Sequence, residues 1–136
     1  MKSPFEMVVS AVRAVNGDID FAQVLTAQLN QLGEPLYRKL EPTGYSNTGQ
    51  DWANSASLLA RMNFGMALAK GKIAGVKVDA AQFAIVVDAS RIARNILLTD
   101  ASPEARDAIQ TGLAQQQDLG AMAAGLTLGS PDFQRR

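Results

Sequence analysis

Ser3-Pro4-Phe5-Glu6-Met7-Val8-Val9-Ser10-Ala11-Val12 is the stretch that decides the fold class of this 136-residue chain. Ser3 can cap a helix, Pro4 suits the first helical position, and Glu6 three residues after Ser3 completes a capping box. Phe5, Val8, Val9 and Val12 recur at helical spacing, which predicts one apolar stripe. Asn16-Gly17 ends it. The same grammar returns downstream. Asp18 or Asp20 can cap a second helix whose buried face is Phe21, Val24, Leu25, Leu29 and Leu32, with Gly33 as its left-handed stop.

Asn54 or Ser55 opens a third helix, with Leu58, Leu59, Met62, Met66 and Ala69 along one side and Gly71 as its stop. Ile73 to Val78 reads as a short extended connection. Asp79 caps a helical stretch through Phe83 and Val86. Asp88 can begin a separate helix carrying Ile92, Ile96 and Leu97, or continue one bent helix. Ser102-Pro103-Glu104 repeats the cap-then-proline start, with Ala105, Ala108, Ile109 and Leu113 behind it. Leu119 to Leu128 is rich in Ala and Gly, so it can approach a neighbour closely. Ser130-Pro131-Asp132 is one more cap, with too little chain after it for another full helix. No segment alternates like a strand, and no fixed repeat stands out. The expected fold is all-α, a compact bundle of about five to seven short helices spanning residues 3–134 as one domain.

Composition narrows the chemistry. Apolar residues make up 47% and charged residues 19%, which suits a globular core. Thirteen basic and thirteen acidic residues give a formal charge of zero, so long-range attraction to nucleic acid or anionic lipid is missing. With no His and no Cys, Ser-His-Asp and Cys-His nucleophiles, imidazole or thiolate zinc sites and disulfides are excluded. No metal and no cofactor is expected. The apolar stretch Phe83 to Val87 is closed by Asp88, far short of the ~20 residues of a membrane helix. Glu6 and Arg13 interrupt the N-terminal apolar run, so it reads as a domain start rather than a signal peptide.

Between Glu34 and about Asn54 the helical pattern disappears. Pro35, Pro42, Gly44 and Gly49 break it, and Leu36, Tyr37, Leu40, Tyr45 and Trp52 are set among them. A connection of this length is either functional or held down by its own side chains.

The ordered set of short motifs resembles a known family. Ser3-Pro4-Phe5-Glu6 running into Val8–Ala14, then Leu32-Gly33-Glu34-Pro35-Leu36-Tyr37 and Pro42-Thr43-Gly44-Tyr45, look like the C-terminal region of a large uncharacterised bacterial family, domain of unknown function 1800. Trp52, the run Leu58-Leu59-Ala60-Arg61-Met62-Asn63-Phe64 and the closing Gly129-Ser130-Pro131-Asp132-Phe133-Gln134 extend the resemblance. It implies that the chain is the C-terminal fragment of a larger, exported protein, periplasmic or extracellular. It also implies the upstream part of the parent chain as a partner, and a protein of sulfatase-like fold as a second one. The family carries no assigned activity, so no catalytic residues come with it.

Three groups of residues are candidate sites. Tyr37, Tyr45 and Trp52, with Asp51 and Asn47 nearby, have the flat apolar faces and hydrogen-bonding groups of a glycan or peptide surface. The competing reading, that these rings staple the loop to the helices, carries more weight because loop order must be compensated. Arg61 and Asn63 lie close together on an apolar helix. Arg61 can hold an anion, but an arginine there more often ties down a loop, and the carbonyls between Glu34 and Trp52 are the expected acceptors. The pairs Asp18/Asp20 and Glu104/Asp107 can in principle perform acid–base work, yet both sit at helix starts, where capping explains them. Lys70, Lys72 and Lys77 lack interleaved aromatics, so no nucleic-acid partner is expected.

The leading functional reading is a non-catalytic helical structural or interaction module. The alternatives are a contribution to an active site completed by upstream residues, and a glycan or cell-surface binding surface on the 34–54 loop.

Overall fold

In the computed structural model the described residues are 1–46, 48–84, 88–113 and 119–135. Among them are eight α-helices: α1 (Pro4–Ala14), α2 (Ala22–Gln31), α3 (Ser55–Ala69), α4 (Ala81–Ala84), α5 (Ala89–Leu97), α6 (Pro103–Leu113), α7 (Leu119–Gly129) and α8 (Pro131–Gln134). The protein is all-α apart from a two-residue antiparallel pair, β1 (Asp18–Ile19) with β2 (Val76–Lys77), in register Asp18–Lys77 and Ile19–Val76. The count exceeds the expected five to seven because α4 and α8 are single turns.

The caps follow the sequence closely. Ser3 Oγ accepts from the Glu6 amide at 3.2 Å and Glu6 Oε2 accepts from the Ser3 amide at 2.8 Å, so the capping box forms. Asn54, Asp88, Ser102 and Ser130 each receive an amide of the first turn that follows. Gly33 and Gly71 end α2 and α3 at φ +91° and +63°, backbone that a side chain disfavours. Asp88 therefore opens α5 as its own helix. Val86 and the rest of the 85–87 segment lie outside the described residues.

The faces were less legible. In α1 the buried side is Pro4, Met7, Val8, Ala11 and Val12, while Phe5 is 46% exposed. The stripe is rotated because Ala11 and Met7, not Phe5, meet the core. Asp18 does not cap α2; it pairs in β1, Asp20 binds Lys77 Nζ at 2.9 Å, and Phe21 at the N-cap is exposed. In α3 the expected stripe is met in part: Ala69 is buried and Met62 and Met66 lie against Gly129 and Gly125 of α7, but Leu58, Leu59 and much of Met62 are exposed, and the buried side extends to Arg61, Phe64, Gly65 and Leu68.

The main partner of α3 is α7. It packs most extensively on α3 and also against α5 and α6, so it is the central helix. Ala121, Ala123, Ala124, Gly125, Thr127 and Leu128 are all buried, as a helix apolar all round should be. The backbones of α3 and α7 approach closely. A Cβ on Gly65 would lie 3.0 Å from Leu128 Cβ and 3.1 Å from the Gly125 carbonyl oxygen, and one on Gly125 would lie 2.9 Å from Met66 Cα. The small-residue face of α7 thus meets Gly65 together with Met62 and Met66, which lie against Gly129 and Gly125, while Leu58 and Leu59, nearer the start of α3, stay exposed.

Gly125→Ala tests this. Alanine is the better helix former by about 1 kcal/mol, yet overpacking against backbone typically costs about 1–3 kcal/mol and should win. A lower denaturation midpoint is expected; a midpoint at or above wild type would mean that the helices can separate freely.

Candidate functional site

The 34–54 loop is short of regular backbone pairing and is held by its own side chains. A 3₁₀ turn at Gly49–Trp52 ends it. Trp52 is only 9% exposed, and its Nε1 donates to the Ser46 carbonyl at 3.1 Å. The Tyr45 ring lies 6.1 Å from it, tilted by 41°, and Tyr45 donates its hydroxyl to the Pro35 carbonyl at 2.7 Å. Asp51 accepts from the Ser46 and Thr48 hydroxyls, which hold its pKa below the ordinary carboxylate value. Tyr37, by contrast, is fully exposed with φ +58°. Asn47 lies outside the described residues.

Arg61 is the unusual group. It is fully buried on α3, where burial pulls its pKa down and the charge of Glu34 pulls it back up. Nη1 donates to the Lys2 carbonyl at 3.0 Å and lies 3.5 Å from Gln134 Oε1, while Nε donates to Ser57 Oγ at 3.3 Å. Gln134 donates its own amide to the Gly129 carbonyl at 2.9 Å, and the Lys2 amide donates to the Gln134 carbonyl at 2.7 Å. Residues from both ends of the sequence therefore meet on one guanidinium. The expected acceptors between Glu34 and Trp52 are not its direct partners. The loop is reached one step away, because the Ser57 hydroxyl donates to the Trp52 carbonyl at 2.8 Å.

The six candidate residues do not converge. Tyr45, Asp51 and Trp52 form one cluster, Arg61 lies beneath it through Ser57, Tyr37 points to solvent, and Asn63 is exposed two positions along α3. Two positions on a helix are turned about 200° from one another, so Asn63 and Arg61 face opposite ways. Lys2 and Gln134 were missed from the sequence, since neither belongs to an apolar period. The closing motif Gly129–Gln134 was the one signal for Gln134, and no motif includes Lys2.

A second feature is a cleft of about 780 Å³ bounded by α1, α4, α5 and α8. Arg13, Asn16 and Asn95 line it with Lys2 and Arg135, over a floor that includes Phe83, Ile92, Ile96 and Phe133. Lys2 Nζ sits 3.9 Å over the Phe133 ring; burial lowers its pKa and Glu6 opposes that shift. Asp132 accepts from the Ser102 amide at 2.7 Å, a bond that holds its carboxyl below the usual range.

Among the described residues no three His, Cys, Asp or Glu side chains gather as a metal site, and no helix is long and apolar enough to cross a membrane. Many of the described polar groups are engaged in caps, loop staples, surface ion pairs and the arginine clasp. The fold and this clasp define a helical module whose two ends are locked together through α3. Over residues 1–135 the sequence matches the family described as protein of unknown function (DUF1800), and the chain belongs to that family. No curated protein and no solved structure matches it.

Proposed function

We propose that this chain is a non-catalytic helical structural or interaction module, a single domain over 3–134 forming the C-terminal part of a larger exported bacterial protein. The observation that carries this reading is the outer side of α3. Leu58, Leu59 and Met62 are 38%, 59% and 44% exposed on neighbouring turns of a helix whose other side is core. Large apolar side chains adjoining one another on a surface mark contact sites. The upstream part of the parent chain is the proposed cover, and a protein of sulfatase-like fold is the second proposed partner. The periplasm or cell exterior is the proposed location.

The rival reading, a glycan surface on the 34–54 loop, is weakened by the burial of Trp52, which leaves Tyr37 as its exposed ring. An active site completed upstream remains the alternative from the enzyme class, and no described cluster favours it.

The test pairs sequence with assay. The parent reading frame should carry an upstream region with an export signal, and the purified 136-residue chain should turn over no ester, phosphate, peptide or glycoside substrate. Robust turnover by this chain would sink the non-catalytic reading, and an independent gene of this length would sink the C-terminal one.

A further inference from the structure

The cleft between α1, α4, α5 and α8 opens over one edge of the core, at Phe83, Ile92, Ile96 and Phe133, and its charge is one-sided. Lys2, Arg13 and Arg135 line it against one lining carboxylate, Asp132, in a protein whose formal charge is zero. That carboxylate is already committed to the Ser102 amide, and its approach to Arg135 Nη1 is long, at 3.9 Å. The Arg13 side chain makes no hydrogen bond or ion pair among the described residues. Glu6 acts on Lys2 from outside the lining, so three lining cations face two carboxylates, and the unpaired Arg13 leaves a positive potential that an anion can satisfy. Beneath them the floor is apolar, built from Ile92, Ile96 and Phe133. The volume falls in the range of small-molecule sites, roughly 300–1,000 Å³.

We propose that this cleft binds a small amphipathic carboxylate, its head among Lys2, Arg13 and Arg135 and its apolar body over Ile92, Ile96 and Phe133. The head matches guanidinium forks, which recognise planar carboxylates through paired N–H donors. The body matches a floor that offers little to a sugar or a polyphosphate. A cationic ligand meets the wrong sign, and a neutral one leaves Arg13 without a partner among the described residues. This site is separate from the α3 surface and does not depend on what covers that surface.

The test titrates decanoate, decanol and decylammonium into the 136-residue chain by calorimetry, with amide chemical-shift mapping. Decanoate should bind most tightly, with shifts centred on Arg13, Asn95 and Ile96. The double substitution Arg13→Gln/Arg135→Gln should weaken decanoate by roughly tenfold, the scale of one charge-assisted hydrogen bond, and leave decanol unchanged. Both side chains are exposed, so the melting temperature should hold. Arg91→Gln, an exposed cation outside the cleft lining, should change nothing. Equal binding of decanoate and decanol, no binding by decanoate, or the same loss in Arg91→Gln as in the double variant would overturn the assignment. So would an acidic peptide that shifts the same amides while decanoate shifts none.

Discussion

Arg61→Ala should destabilise the protein by about 3–5 kcal/mol, the sum of a buried cavity and lost polar partners. The side chain is fully buried, so its removal leaves a void against Met7, whose sulfur lies 3.9 Å from Nη1 and which is itself inaccessible to solvent. The Lys2 carbonyl and Gln134 Oε1 each lose a charged donor. A buried acceptor left alone costs about 1–3 kcal/mol. One term works the other way: Nη2 makes no hydrogen bond to any described residue, and deleting it relieves that desolvation. The two acceptors and the cavity outweigh one orphaned donor. For a domain of this size the melting temperature should fall by roughly 10–20 °C.

Arg61→Met separates the contributions. Methionine refills much of the volume without the hydrogen bonds, so its deficit should lie between wild type and alanine. Gln134→Ala should cost less than Arg61→Ala, because Lys2 keeps its donor. Combined with Arg61→Ala it should add little, since the two residues share a contact. Full additivity, or an alanine variant within about 1 kcal/mol of wild type, would show that the clasp is incidental.

Local signals were legible where the chemistry is local. Ser3, Asn54, Asp88 and Ser102 cap helices because a side-chain oxygen and the next turn's amides decide the matter within four residues. Gly33 and Gly71 end helices for a similarly local reason. The close approach of the Ala- and Gly-rich α7 was legible too, as volume alone predicts it. What the sequence hid was rotation. Spacing places Leu58, Met62, Gly65 and Ala69 near one line of α3, but it does not say that the buried side extends past that line to Arg61, Phe64 and Leu68 while Leu58 and Leu59 stay exposed. Partners distant in sequence decide this, among them Gly125, sixty residues from Gly65. The same holds for Asp18, whose strand pairing with Lys77 overrides its aptitude as a cap. Arg61 was recognisable as a group needing acceptors, but those acceptors come from the two ends of the sequence. Its link to the loop runs through Ser57, which no pattern marks.

Trp52→Ala should lower stability by about 3–5 kcal/mol, the range for truncating a large buried aromatic. Fixing ~20 loop residues costs on the order of 1–2 kcal/mol of backbone entropy each, and the loop has few regular backbone bonds to offset it. Burial of the indole contributes at about 25 cal/mol per Å². Its Nε1 bond to Ser46 and its edge on Tyr45 fix the geometry. Loss of the ring also frees Tyr45 from its tilted contact, so the Pro35 anchor should weaken with it. Trp52→Phe keeps most of the apolar area and forfeits the Ser46 bond, so a smaller loss of about 1 kcal/mol is expected. This is the sole tryptophan of the chain, so wild-type emission reports on this loop alone. It should be blue-shifted, while the variants are followed by far-UV dichroism in urea. A ligand platform demands the opposite pair of results: red-shifted emission and a Trp52→Ala variant as stable as wild type. Observing both would return the 34–54 loop to the role of a binding surface, with Tyr37 and Trp52 as its exposed rings. Blue-shifted emission with a large loss in the alanine variant and a small one in the phenylalanine variant assigns the indole to holding the loop down.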